Sequence, residues 1–163
     1  MTKEIDIDKY HQLALQKQSE HAKFLASLKK KAPKNLDKVV QEIHQEIDCT
    51  ACANCCKDLG PDLTESDITK IAKLFRMKLA TFESTYLRVD EDGDKVFQSM
   101  PCPFLGGDNL CSIFDVRPKA CRDFPHTDRK KIYQINHLTL KNTLICPAAY
   151  LFVEKLSQAL SKK

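Results

Sequence analysis

Between Ile5 and Lys31 the apolar residues Ile7, Tyr10, Leu13, Ala14, Phe24, Leu25 and Leu28 recur at steps near three and four. Helix-forming Gln, Lys, Glu and Ala fill the gaps, so the pattern predicts an amphipathic helix. Pro33 closes it, and Asn35 is placed to cap a second helix striped by Leu36, Val39, Val40, Ile43 and Ile47. That stripe runs directly into Cys49. Thr64, followed three residues later by Asp67, is a helix start signal, with Ile68, Ile71, Ala72 and Phe75 expected to face inward. "LATFESTYL" predicts a further short helix. "VDEDGDKVFQSM" predicts a β-hairpin, because Asp-Gly supplies the positive backbone angles of a tight turn. Residues 101–125 lose all period and gain Pro and Gly, which predicts a loop-rich segment with one short helix near Arg117–Arg122. Residues 128–143 are expected to be helical. A last helix should begin at Pro147 and be striped by Ala149, Phe152, Val153, Leu156 and Leu160.

These elements define a mainly α fold: a small helical domain with a loop-rich cysteine cluster and one short β-hairpin. The 163 residues suit one domain with an added helical segment. We therefore divide the chain into an N-terminal helical extension, residues 1–44, packed on a core domain, residues 45–163. The exposed helices of the extension are a candidate surface for a protein partner. A net charge of +4 from 26 basic and 22 acidic residues is too mild and too scattered for a nucleic-acid partner. The densest basic run, "LKKKAPK" at 28–34, reads as a solvated helix end and linker. The opening "MTKEIDIDKYHQ" has no apolar leader, and no uncharged apolar run approaches the roughly 18 residues of a membrane span. The expectation is a cytoplasmic protein without a membrane segment.

That compartment changes how the eight cysteines are read. In a reducing environment they point to metal rather than to disulfides. "CTACANCC" packs Cys49, Cys52, Cys55 and Cys56 into eight residues. Two residues between cysteines let both sulfurs turn toward one ion at about 2.3 Å. The adjacent pair Cys55 and Cys56 diverges unless the backbone bends sharply, so the two serve different ions or one of them bridges two. Cys102, Cys111, Cys121 and Cys146 complete the set. Eight thiols fill two four-coordinate sites, or fewer suffice where sulfurs bridge.

"CTACANCC", "CPFL", "LCSIFDVRPKACRDFP" and "CPAA" together resemble the YkgJ-type cysteine-cluster family, known for its CxxCxxCC motif and described as zinc- or iron-chelating. The resemblance spans about residues 45–150 and includes all eight cysteines in order. It implies metal ligation by Cys49, Cys52, Cys55, Cys56, Cys102, Cys111, Cys121 and Cys146. Many members carry Gly where this chain has Asn54, and Asn also tolerates left-handed backbone angles.

Around these ligands, His126 is placed to ligate or to donate to a thiolate. Arg117 and Arg122 flank Cys121, where guanidinium forks could offset thiolate charge and hold the loop by donating to backbone carbonyls. "DEDGD" fails as a calcium loop, since glycine falls at the fourth position and position twelve is Pro101. Zinc, in a binuclear arrangement with a structural or metal-handling role, is the favoured cofactor because four thiolates suit its tetrahedral geometry. Iron or an iron-sulfur redox cluster is the alternative, although Cys56 follows Cys55 at once instead of after the usual three residues. A metal-dependent enzyme with an open coordination position is the third reading, and no acid/base constellation beyond the cysteines supports it.

Overall fold

The computed structural model describes residues 5–28, 33 and 35–161. The expected helical residues 29–31 and most of the basic run at 28–34 lie outside them. The fold is mainly helical with one two-stranded antiparallel hairpin, as the hydrophobic pattern predicts. Among the described residues no helix is long and apolar enough to cross a membrane. The chain packs as two compact units, one from the described residues of Met1–Cys52 and Pro125–Lys163, the other from Ala53–Phe124.

The first unit is built on α1 (Ile7–Ser27), α2 (Leu36–Glu46), α8 (Asn136–Thr143) and α9 (Pro147–Ser161), with the one-turn helix α3 (Cys49–Cys52). Asp6 starts α1 by accepting from the Lys9 amide at 2.9 Å, which satisfies one of the donors a helix start leaves open. The stripes of α1 and α2 are spent on α8 and α9: Leu25, Leu36, Val39, Ile43 and Ile47 share one core with Ile132, Phe152, Val153 and Leu156. Pro147 opens α9 as expected, at a position where a missing amide hydrogen costs nothing. Asn35 departs from expectation, for it sits at the start of α2 with φ 66° and makes no side-chain cap. A capping residue normally has extended backbone angles, which the left-handed Asn35 lacks. Residues 128–131 are turns rather than helix, and a 3-10 turn over Ile132–Ile135 precedes α8. The β-branched residues of this stretch shorten the helix.

The second unit holds α4 (Asn54–Asp58), α5 (Glu65–Leu74), α6 (Leu79–Tyr86), the strands β1 (Leu87–Val89) and β2 (Lys95–Phe97), and α7 (Lys119–Asp123). Leu87 pairs with Phe97 and Val89 with Lys95. The hairpin loop is five residues long: Asp90 accepts from the amides of Asp92 and Asp94, and Gly93 takes the positive φ, 89°. Leu63, Ile68, Ile71, Phe82, Phe97 and Phe104 form the core, with Cys102 and Cys111 packed against it. Phe75, expected inward, is 39% exposed at the end of α5, where it stacks on Phe104 and Tyr86. The inward face of α5 ends at Ala72, and Phe75 follows the last helical residue, Leu74.

Candidate metal centre

The second unit holds Cys55, Cys56, Cys102, Cys111 and Cys121, brought in by α4, two loop segments and α7. Cys56 rides on α4, a helix that opens behind Ala53, whose φ of 49° is left-handed. A left-handed residue does stand just before the adjacent pair, but it is Ala53 and not Asn54, the position where left-handed angles are expected to be tolerated. Cys102 is tied to this helix by its backbone, its amide donating to the Cys56 carbonyl at 2.8 Å. Cys111 closes the next loop, in which Leu105 bridges Cys111 and the Gly106 amide donates to Leu110 at 2.8 Å. A methyl group on Gly106 would lie 3.3 Å from the Leu110 carbonyl and 2.5 Å from an Asp108 oxygen. A side chain there would require Asp108 to swing aside and the Leu110 carbonyl to give by a few tenths of an ångström.

Cys121 comes from α7, whose first amide, Lys119 N, donates to the Asp67 carboxylate at 3.2 Å. Asp67 is also the capping-box partner of Thr64 and is buried. One carboxylate thus starts α5 with one oxygen and anchors α7 with the other. Thr64 with Asp67 was legible as a helix start; the second use of Asp67, across 52 residues, left no local signal. Pro118, immediately before α7, is fully buried.

The thiols of Cys56, Cys102, Cys111 and Cys121 are mutual electrostatic neighbours. Burial first, and then the charges of Cys56, Cys102 and Cys111, push Cys121 up to about 12. Burial likewise raises Cys102 and Cys111, with Cys56 adding to each. Cys56 is the exception: a hydrogen bond from the Cys55 side chain holds it down at about 7, against the effect of burial, and Lys57 assists. Backbone amides face the sulfurs as donors, Phe104 and Leu105 toward Cys102 and Ile113 toward Cys111. Donors aimed at a sulfur favour its anionic form.

The flanking arginines donate to backbone carbonyls. Arg122 Nη1 donates to the Arg117 carbonyl at 2.6 Å, and Arg117 Nη1 to that of Phe114 at 2.9 Å. Arg117 also lies 3.8 Å over the Phe114 ring, and its charge lowers both Cys111 and Cys121. Lys119 pairs with Asp123 on the exposed side of α7.

The first unit contains Cys49, Cys52 and Cys146. Cys49 and Cys52 bound α3, the first exposed and the second buried. Cys146 immediately precedes α9, and the amides of Ala148 and Ala149 face its sulfur. Burial pushes it up to about 11, with Cys49 and Cys52 adding their charge. This placement at a helix start suits an anionic ligand. His126 is in the same unit, in a left-handed turn with φ 65°, its carbonyl accepting from the Arg129 amide. Elsewhere, Asp62, Asp90 and Asp94 bring carboxylate oxygens within 4.8 Å of one another. Burial, followed by Asp94, Asp90 and Asp92, raises Asp62.

Thiols from segments far apart in sequence, with backbone amides turned toward the sulfurs of Cys102, Cys111 and Cys146, are donors that suit a soft metal ion. The chain belongs to the CxxCxxCC family, whose model matches residues 48–146 and is described as a "Putative zinc- or iron-chelating domain". No curated protein and no solved structure matches the chain.

Proposed function

We propose that the protein holds zinc through its eight cysteines, and that Cys56, Cys102, Cys111 and Cys121 form one four-thiolate centre. What supports this reading is that the charges of those four thiols act on one another and that amide donors face two of the sulfurs. Four soft, anionic donors with no carboxylate among them suit zinc. The ion supplies the positive charge that lets thiolates stand together, and Arg117 offsets the remaining negative charge. Cys49, Cys52 and Cys146 are assigned to a second ion.

The role we assign is structural. Residues 98–125 contain little regular structure, and a bound ion links such loops at a free-energy gain a small core cannot match. Elemental analysis of anaerobically purified protein tests the reading. Two zinc ions per chain are expected in a colourless protein, with one lost in Cys56→Ser and the other in Cys146→Ser. A brown protein with visible absorption would replace zinc by an iron-sulfur cluster, and a metal-free protein would remove the proposal.

A further inference from the structure

Helices α5 and α6 and the turn between them segregate their charges. From Ile68 to Phe82 the sequence carries no acid, and Lys70, Lys73, Arg76 and Lys78 stand exposed along it. None of these cations makes an ion pair among the described residues. The acids of the same two helices are engaged elsewhere. Glu65 and Glu83 both receive Lys95, and Asp67 is buried, bonded to Thr64 and to the Lys119 amide. Large apolar side chains are interleaved with the unpaired cations, for Leu74, Phe75 and Leu79 are 50%, 39% and 42% exposed. A surface that is at once apolar and uniformly basic marks a place of contact.

The turn itself keeps a cation at a position that favours glycine. Arg76 has φ 52°. Its amide donates to the Lys73 carbonyl at 3.1 Å, and the next amide, that of Met77, donates to the Ala72 carbonyl at 2.9 Å. Helices that close with this pair of bonds commonly carry Gly there, because a Cβ is strained at left-handed angles. Glycine would make the same turn with less strain, whereas arginine sets a guanidinium in the middle of the basic and apolar run.

We propose that the α5–α6 turn docks on an anionic lipid surface. Lys70, Lys73, Arg76 and Lys78 meet headgroup phosphates, while Leu74, Phe75 and Leu79 enter the boundary with the acyl chains. Docking of this kind needs no spanning helix. Charge complementarity selects an anionic surface over a zwitterionic one, since each Lys or Arg near an anionic bilayer multiplies binding about fivefold. An acidic protein segment fits less well. The recess beside the patch, about 160 Å³ and lined by Leu74, also has the Asp115 carboxylate and Ser112 in its wall. An acidic segment anchoring a side chain there meets a like charge, whereas a lipid surface contacts the turn without entering the recess. The proposal stands apart from the metal reading and does not depend on it.

Flotation of the full chain with vesicles, in about 0.15 M salt, is the test. Vesicles of two parts phosphatidylcholine to one part phosphatidylglycerol should carry the protein, and phosphatidylcholine alone should not. Two variants that remove the same net charge separate the patch from charge in general. Lys73→Gln with Lys78→Gln should weaken binding about 25-fold, the product of two fivefold steps. Lys130→Gln with Lys131→Gln, exposed in the first unit, should change it by less than about twofold. Arg76→Gly should weaken binding about fivefold yet leave the urea midpoint unchanged or higher, a combination that a merely structural arginine does not give. Leu79→Asp, with an acid suited to the first turn of α6, should abolish flotation. Wild type that fails to float, or floats equally on phosphatidylcholine alone, overturns the proposal. Equal losses in the two lysine pairs, or full binding by Leu79→Asp, do the same. So does binding of a soluble helical peptide rich in Glu and Leu that matches binding to the vesicles, which would assign the turn to a protein partner. The wild-type comparison and the exposed lysine pairs decide the matter even where another variant fails to fold.

Discussion

Glu154 shows how a single side chain can organise a helical core. Its carboxylate receives Lys17 Nζ at 2.9 Å and His21 Nε2 at 2.7 Å, and His21 is 1% exposed. A carboxylate only accepts, so His21 carries its proton on Nε2 here. Burial alone would raise Glu154, but the bonds from His21 and Lys17 outweigh it and lower its pKa. A carboxyl depressed in the folded state contributes stability above its unfolded value, near 4.5, and that contribution fades as pH falls through the folded value. Urea midpoints of wild type and Glu154→Gln should therefore converge as pH drops below that value and separate above it; parallel curves would contradict the account. The hydroxyl of Thr139 is a different case, buried with no partner among the described residues. Thr139→Val should leave stability unchanged or raise it by up to about 1 kcal/mol in thermal melts. None of this was legible in the sequence. A histidine on an apolar stripe looks the same whether or not a glutamate 133 residues away awaits it, whereas the cysteines declare their chemistry by spacing alone.

Among elements, α5 and α7 are coupled through Asp67. Removing the cap hydroxyl in Thr64→Ala should cost about 1 kcal/mol, read from denaturant midpoints. Asp67→Ala should cost more, about 2–3 kcal/mol, because the Lys119 amide is orphaned as well. It should also lower metal retention at the proposed centre containing Cys121, while Thr64→Ala leaves metal retention intact. Equal effects of the two changes on metal retention would refute the anchoring role. Elements with strong local codes were legible: the Thr64 cap, the hairpin around Gly93 and the proline that opens α9. The expected cap at Asn35 and the helical run from 128 depended on backbone angles and packing partners that a periodic pattern does not encode. A left-handed residue beside the adjacent pair was foreseeable at Asn54, yet its position on Ala53 was not, since alanine gives no warning of a left-handed turn.

For the whole molecule, two separate hydrophobic cores mean that stability is a local quantity. Phe152→Ala and Phe82→Ala each empty a fully buried position, in the first and the second unit respectively. Each should cost about 3–5 kcal/mol. Native-state amide exchange should place the Phe152→Ala loss in α1, α2, α8 and α9, and the Phe82→Ala loss in α5, α6 and the hairpin. A loss spread evenly over both sets would argue for one cooperative block. Composition shows no seam at 52/53 or 124/125, the joins between the units, because both sides are ordinary mixed sequence and the pairing of α1 with α9 is a long-range fact. That nesting has a consequence for the order of assembly on a ribosome. The stretch 53–124 is continuous, so all its partners have been synthesised by the time Phe124 is added. The helices before it must wait for α8 and α9, leaving their oily faces in need of shelter through most of translation.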